Sequence, residues 1–326
     1  MIHKLLICQS DGFDPYRNLA LEQVLLEGVR EGECILYLWQ NENTVVIGRN
    51  QNPWKECLTA LLEQEGGRLA RRLSGGGAVF HDLGNLNFTF LMPQQEYDLD
   101  RQLTVIQEAV ASFGIPAERS GRNDILADGR KFSGNAFYKN GHQAYHHGTL
   151  LVDADLGKLS RYLTPSKAKL QSKGVDSVRS RVGNLRECCP EITIEGLKIA
   201  LIQAFSQVYG LHTEPLELSD ADLLRMDALT QRNRSWEWNF GKKIPFTMEC
   251  EERFPWGTLQ ICLQIDNGVI QDVRLWSDAM DWALAPGVQQ RLCGCRFTRE
   301  AVRSVLDISV PEERDIADLL EKICGS

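Results

Sequence analysis

Three consecutive glycines, Gly75-Gly76-Gly77, interrupt two apolar stretches in LARRLSGGGAVFHDLGNLNFTF (69–90). A run without Cβ atoms neither propagates a helix nor packs as a strand interior, so the chain must bend there with bare backbone. Bare backbone lets N–H groups approach a ligand closely. Arg71 and Arg72 bring positive charge to the same bend. Two readings stand at this point, a tight turn between strands and a cradle for an anionic, elongated small molecule. The arginine pair and the His81-Asp82 end of the following strand favour the cradle. It is not one of the familiar phosphate loops. No Lys-Ser or Lys-Thr follows the glycines as a Walker A loop needs, and Ala78-Val79-Phe80 breaks a GxGxxG pattern.

The rest of the chain limits where such a cradle can sit. At 326 residues, with 43% hydrophobic and 25% charged residues, it has the make-up of a globular protein of two domains. No apolar run approaches the roughly 20 residues that span a bilayer. The start, MIHKLLICQSDGFDPYRN, lacks a signal peptide's apolar core, so a cytoplasmic location without membrane attachment is expected. A net charge of −8 speaks against general nucleic-acid affinity. Ten cysteines fit a reducing compartment, and their only close sets, Cys188-Cys189 and Cys293-Gly294-Cys295, lack metal-ligand spacing. From Lys158 to Arg186 eight basic residues face one acid, Asp176, a net +7 that suits either a solvated surface or an acidic partner. The polar stretch NRSWEWNFGKKIP (233–245) marks the boundary, giving domains 1–245 and 246–326.

Patterning predicts mixed elements. Asn18 is expected to cap a helix reaching about Glu31, with Glu22 in its first turn. ILYLW (35–39), TVVIG (44–48), LNFTFL (86–91) and HHGTLLV (146–152) read as strands. Helical stripes run through Ile106, Ala109, Val110 and Phe113, and through Leu197, Ala200, Leu201, Ala204, Phe205 and Val208. Asp266-Asn267-Gly268 between LQICLQI and VIQDVRLW is a hairpin signal, and a last helix carries Ile316, Leu319, Leu320 and Ile323. Hairpins with segregated helices predict an α+β fold rather than a doubly wound parallel sheet.

Two further segments bear chemistry. GRNDILADGRKFSGNAFY (121–138) sets Asn123, Asp124 and Lys131 among short apolar pieces. Lys131 reads as a surface cation or as an ammonium for a nucleotide phosphate. Asp124 reads as a partner orienting that lysine or as a donor to a metal ion. In YHHGTLLV (145–152) the two histidines must face opposite sides of a strand, so at most one of them, taken as His147, lines a pocket. Gly148 beside it allows backbone to approach a ligand.

These segments resemble the lipoate–protein ligase family. The likeness runs in order through NLALE (18–22), LWQNENTVVIGRNQNPWKEC (38–57), RRLSGGGAVFHDLGN (71–85), GRNDI (121–125), RKFSGNA (130–136), HHGTLL (146–151), KGVDSVRSRVGNL (173–185) and SWEWNFGK (235–242). FPWGTLQI and the closing hairpin and helix are similar, more loosely, to the family's small C-terminal domain. The resemblance implies a biotin-ligase-like mixed, largely antiparallel sheet with packed helices, plus a small, mobile α+β accessory domain. It implies ATP-dependent formation of lipoyl-AMP, then transfer of the lipoyl group to a lysine of a carrier domain, an E2 subunit or the glycine cleavage H protein. By motif, Arg72, Gly77, Ala78, Val79 and Phe80 match nucleotide-binding positions. Ser74, Gly75 and Gly76 match the loop around acyl chain and adenylate, and Lys131 matches the lysine that meets both phosphate and lipoate carboxylate. Asn85, Asn123, Asp124 and His147 fall inside matched motifs. Asn123 and Asp124 are assigned to the adenylate, and His147 with Gly148 to lipoate. Mg²⁺ is expected with ATP, without a dedicated protein cage. An octanoyl or lipoyl transferase of the same fold would need a cysteine thiolate, and residues 58–187 hold none. A biotin ligase would carry a GRGRxGR loop, and a non-catalytic lipoate binder would have no use for Lys131 and Asp124.

Overall fold

The computed structural model describes residues 1–121, 123–163, 182–241 and 248–324. It is a mixed α+β protein with one large, mainly antiparallel sheet. The chain divides into two compact units, Met1–Val46 with Trp54–Arg71 and Val79–Asn239, and Ile47–Pro53 with Arg72–Ala78 and Phe240–Ser326. The glycine loop and the segment 47–53 cluster with the C-terminal part of the chain.

In chain order the strands are β1 Lys4–Gln9, β2 Glu33–Trp39, β3 Thr44–Ile47, β4 Arg68–Arg71, β5 Val79–His81, β6 Asn85–Pro93, β7 Ala117–Ser120, β8 Asp124–Ala127, β9 Arg130–Lys139, β10 Gln143–Leu151, β11 Thr213–Pro215, β12 Met248–Phe254, β13 Gly257–Asp266 and β14 Val269–Ser277. The large sheet runs β11-β1-β2-β6-β10-β9-β8-β7, with β4-β3-β5 and β12-β13-β14 as smaller sheets. In the large sheet, among the described residues, β1 runs parallel to its neighbours β11 and β2 and the other strand pairs are antiparallel.

Both faces of the large sheet are covered, which is why β6 is buried along its whole length. Side chains alternate across a strand. Leu86, Phe88, Phe90 and Met92 join the main core with Val105, Ile106 and Val110 of the helix Leu99–Ala111 and Leu197, Leu201 and Phe205 of the helix Ile194–Tyr209. Asn85, Asn87 and Thr89 take the opposite face, on the side of helix α1 (Pro15–Gly28). Both helical stripes read from the sequence are thus core faces.

Helix α1 starts earlier than expected. Asp14 accepts from the Tyr16 N–H as N-cap, and Pro15 supplies a ready-made helical φ at the first position. Asn18 lies inside the helix, buried, donating to Gln40 O at 2.7 Å and Asn41 Oδ1 at 3.0 Å. The β13–β14 hairpin turns at Asn267 and Gly268, both with positive φ as a primed turn requires. The same chemistry, Asp128-Gly129 at positive φ, makes β8 and β9 a hairpin, a signal the sequence reading passed over. The last helix, Pro311–Cys324, buries Ile316, Leu319 and Leu320 in the second unit's core.

Most of the +7 segment (Lys167, Lys169, Lys173, Arg179 and Arg181) lies outside the described residues. Of its described members, Arg161 is paired with Glu65 and Arg186 with Asp153.

Candidate functional site

In the first unit the β8–β9 hairpin presents Lys131. Its ladder slips between Ile125 and Leu126, so that Ser133 opposes Ile125 but Lys131 opposes Leu126. Phe132 is the extra residue, and it is buried in the main core. A bulge of this kind re-aims its neighbour. The Lys131 arm lies instead over Gly134, where an added Cβ would sit 2.9 Å from Nζ and 3.0 Å from Cε. Lys131 Nζ reaches Asp124 Oδ1 at 2.6 Å, with about a third of each side chain exposed. Gly134 N–H donates to Thr149 Oγ1 at 3.3 Å, tying this strand to β10.

Asn123 stands one residue before Asp124 and is committed to Asn135. Its carbonyl accepts from the Asn135 main-chain N–H at 2.9 Å and from the Asn135 amide at 3.0 Å, and its own amide donates to Asn135 O at 2.9 Å. The turn carrying Asp124 is therefore clamped to β9 at three points.

The two histidines do face opposite ways. His147 points to the α1 side, where Nδ1 meets Glu22 Oε1 at 2.8 Å. Glu22 also accepts from Thr89 Oγ1 at 2.8 Å, and Thr89 in turn accepts from Trp39 Nε1 at 3.1 Å. A carboxylate only accepts, so Nδ1 carries the His147 proton. Glu22 is 1% exposed, and this buried network was not foreseen from NLALE, where Glu22 read as a first-turn acid. His146 points into the aromatic core. Burial there holds its pKa well below 6.5, so the ring is neutral. Gly148 lies on that same core face. A Cβ would meet Phe88 Cζ at 2.7 Å, Asn135 Oδ1 at 2.8 Å and Gly134 O at 2.8 Å, so its missing side chain makes room for protein rather than for a ligand on that face.

Val79 pairs with Val46, and the buried Phe80 ring lies 5.4 Å from Tyr162. Asn85 is fully buried and donates to Asn87 Oδ1 at 2.9 Å. The arginines before the glycines do not simply project charge. Arg71 Nε donates to the carbonyls of Trp238 and Asn239 at 3.0 and 3.1 Å, while Trp238 Nε1 donates to Arg71 O at 2.9 Å. That exchange gives Trp238 and Asn239 of the SWEWNFGK segment their partners.

In the second unit Arg72 is 6% exposed and shapes the loop from within. Nε donates to Ser74 Oγ at 3.0 Å, and Nη2 to the carbonyls of Gly75 and Gly77, each at 2.7 Å. The close approach that the glycines allow is taken up by main chain. A Cβ on Gly75 would lie 2.3 Å from Ala279 O and 2.6 Å from Met280 O, and Gly76 N–H donates to Ala279 O at 3.0 Å. Gly76 has a φ of 86°, a value that favours glycine. Ala78 closes the loop.

The structure thus brings Lys131, Asp124 and Asn123 together in one unit and Arg72, Ser74, Gly75, Gly76 and Gly77 in the other. No group of three or more His, Cys, Asp or Glu among the described residues is set to hold a metal ion. Asp124 is a hard oxygen donor of the kind Mg²⁺ takes, but Lys131 competes for the same carboxylate, so Mg²⁺ would be held mainly on phosphate oxygens rather than by a protein cage. No helix among the described residues is long and apolar enough to cross a membrane.

Comparison with known proteins bears on this arrangement. A model of the lipoyl protein ligase A/B catalytic domain matches residues 14–206, and one of the bacterial lipoate protein ligase C-terminus matches 243–322. Among solved structures the chain is similar to P. falciparum LipL1 in complex with lipoate, at 29% identity and TM-score 0.85 over 98% of this chain and 99% of that one. It is similar to a bipartite lipoate protein ligase from T. acidophilum, studied with its E2 lipoyl domain, at 25% identity and TM-score 0.67 over 76% and 100% of the two chains. It is also similar to a lipoate-protein ligase A bound with ATP, at 26% identity and TM-score 0.65 over 74% and 99%.

Proposed function

The chain belongs to the lipoyl protein ligase A/B family, and on that premise we propose that it is an ATP-dependent, AMP-forming lipoate–protein ligase. The lipoate carboxylate attacks the α-phosphorus of ATP and pyrophosphate leaves. The amine of a carrier lysine then attacks the acyl carbonyl of lipoyl-AMP, AMP leaves, and an amide and a proton result. Activation is needed because a free carboxylate offers no leaving group better than oxide. The carriers in this reading are lipoyl domains of E2 subunits and the glycine cleavage H protein, and the site of action is the cytoplasm.

The observation that carries the reading is the Lys131–Asp124 pair laid over Gly134. A compact ammonium on a flexible arm suits the negative charge that builds on the α-phosphate oxygens in the first step and on departing AMP in the second. Asp124 aims that ammonium. With Mg²⁺ bound, Asp124 would be its protein donor, and the ion would offset triphosphate charge. Arg72, Ser74 and Gly75–Phe80 are assigned to nucleotide and acyl chain. His147 is assigned to the wall of the lipoate site, its ring held by Glu22.

The thioester alternative has less support. Burial pushes the Cys8, Cys34 and Cys57 thiols up to about 12, away from the thiolate that such a transferase needs. The test is lipoate-dependent exchange of pyrophosphate into ATP, with octanoate and biotin run in parallel. Lys131→Ala is expected to lower kcat for exchange by about 100-fold or more. Near-parental exchange by that variant would overturn the assignment, and exchange driven by biotin alone would overturn the substrate.

A further inference from the structure

We propose that His146 is a positioning residue for this reaction: through Asn135 it fixes Asn123, and through Asn123 it sets where the Asp124–Lys131 pair stands. The proposal rests on the role just given to Lys131.

The starting point is an imidazole where an apolar ring would fit. His146 is 0% exposed, on β10, with the rings of Phe88, Phe90 and Phe137 at 5.2, 5.9 and 5.2 Å. Core packing alone does not call for a polar ring among them. Its two nitrogens are both engaged, Nε2 with Asn135 Oδ1 at 2.7 Å and Nδ1 with Gln102 Oε1 at 3.1 Å, while Gln102 Nε2 lies 3.4 Å from Met92 Sδ. A neutral imidazole has one N–H and one lone pair. The Asn135 amide decides which is which. Its NH₂ donates to Asn123 O at 3.0 Å and lies 3.4 Å from Ser133 Oγ, so its oxygen is the end left for His146. Nε2 therefore carries the proton, and the lone pair on Nδ1 of a neutral ring calls for the Gln102 amide turned over from that placement, its NH₂ toward Nδ1 and its oxygen toward Met92 Sδ.

A directed chain results, from Nε2–H to Asn135 Oδ1 and from Asn135 Nδ2–H to Asn123 O. An amide rotates about χ2 and is nearly symmetric in shape. Without a donor at Nε2, the Asn135 oxygen is left buried with no hydrogen-bond donor, and only the bonds of its NH₂ to Asn123 O and Ser133 Oγ still hold the amide in place. The imidazole N–H gives that oxygen its donor. Gly148 keeps the room for it, since a Cβ there would stand 2.8 Å from Asn135 Oδ1. The consequence reaches the chemistry in one residue. Asn123 precedes Asp124, which opens β8 opposite Gly134, the residue that the Lys131 arm crosses. A turn released at Asn123 moves the carboxylate, and the ammonium moves with it.

The test uses the full chain with lipoate, ATP and labelled pyrophosphate, and reads kcat and KM separately. His146→Phe fills the aromatic site but deletes the donor. His146→Gln restores an N–H able to reach Asn135. Asn135→Ala cuts the chain one link later and carries the test if His146→Phe does not accumulate as folded protein. The expected result for His146→Phe and Asn135→Ala is a kcat lowered about 10- to 100-fold, as for a reacting group displaced by a fraction of an ångström to one ångström. KM for ATP and lipoate is expected to change less than about threefold, and His146→Gln to recover kcat to within about threefold of the parent. Parental kcat in both His146→Phe and Asn135→Ala, while Lys131→Ala abolishes exchange, overturns this proposal and leaves the proposed function standing. So does a loss that His146→Gln fails to relieve at an unchanged melting temperature. Exchange that survives Lys131→Ala takes down both.

Discussion

Gly134→Ala separates the chemistry of Lys131 from the stability of the strand that carries it. Gly134 is not one of the left-handed glycines, so its backbone accepts an alanine without strain. The only close neighbours of the new Cβ are the end of the Lys131 arm, at 2.9 Å from Nζ and 3.0 Å from Cε, with Thr149 Oγ1 at a comfortable 3.9 Å. An ordinary contact begins at 3.4 Å, so Nζ must retreat by about 0.5 Å or more and the 2.6 Å pair with Asp124 must lengthen. A flexible arm yields at little cost. The half-exposed ion pair is worth up to about 1 kcal/mol, and Gly→Ala returns about 0.4–1 kcal/mol by restricting the unfolded chain. Net stability should therefore stay within about 1 kcal/mol, a melting shift of no more than about 4 °C for a unit of this size. The chemistry does not have that latitude. A displacement of this order is expected to lower kcat for lipoate-dependent exchange about 10- to 100-fold, or ~1.4–2.7 kcal/mol in the barrier. Thermal unfolding and exchange kinetics on the same preparation check it. A kcat within about twofold of the parent would show that the arm does not act from over Gly134. A large melting loss would show that the glycine serves the fold instead.

Two other expectations share that hairpin and its neighbour strand. Gly148→Ala should do the reverse of Gly134→Ala, because its Cβ meets a ring and a main-chain carbonyl rather than a flexible tip. A loss of about 1–3 kcal/mol is expected, read as a lower urea midpoint at unchanged slope. An unchanged midpoint would count against the packing. Stability should also fall as pH drops below 6.5. The unfolded His146 takes up a proton there while the buried one does not, so the unfolded state binds more protons and stability rises with pH. The slope reaches up to ~1.4 kcal/mol per pH unit between about 6.5 and the much lower folded value. His146→Gln should flatten denaturant stability between about pH 6.5 and 5. An unaltered slope in that variant would place the effect elsewhere.

What could be read from the letters depended on whether the physics was local. The hairpin at Asn267-Gly268 was legible because two adjacent residues carry the whole turn preference, and Asp128-Gly129 was equally legible on the same grounds. The start of α1 was misplaced because Asn18 has the right side chain for a cap, but Pro15 one turn earlier already has the right φ. The opposite faces of His146 and His147 followed from the strand period. Which of them met Glu22 did not, because β10 is buried on both sides and has no polar face to orient it. The arginines were legible as charge and not as geometry. Only the fold shows that Arg71 and Arg72 donate to main-chain carbonyls. Lys131 was legible as a candidate cation, and the resemblance chose its role. The reason it reaches Asp124, one surplus residue in the register of β9, depends on a pairing that no single strand encodes.

That surplus residue also explains how one hairpin serves two tasks. Along a regular β9, Lys131, Ser133 and Asn135 would share a face, and the cation would project into the apolar core. A lone ammonium there would lose its charge rather than bear the desolvation. The slip at Phe132 reverses the alternation at this point. It leaves Phe132, Ser133 and Asn135 turned inward and sends Lys131 across Gly134 to Asp124. The inward face holds neutral, fully bonded groups, His146 and Asn135, which can be rigid because they carry no charge. The outward face carries the charges, which can act because about a third of each side chain is exposed. Closing the bulge by deleting one residue would turn the ammonium toward the apolar core, so the register of this hairpin, more than the identity of any one side chain, decides whether the lysine is available for chemistry at all.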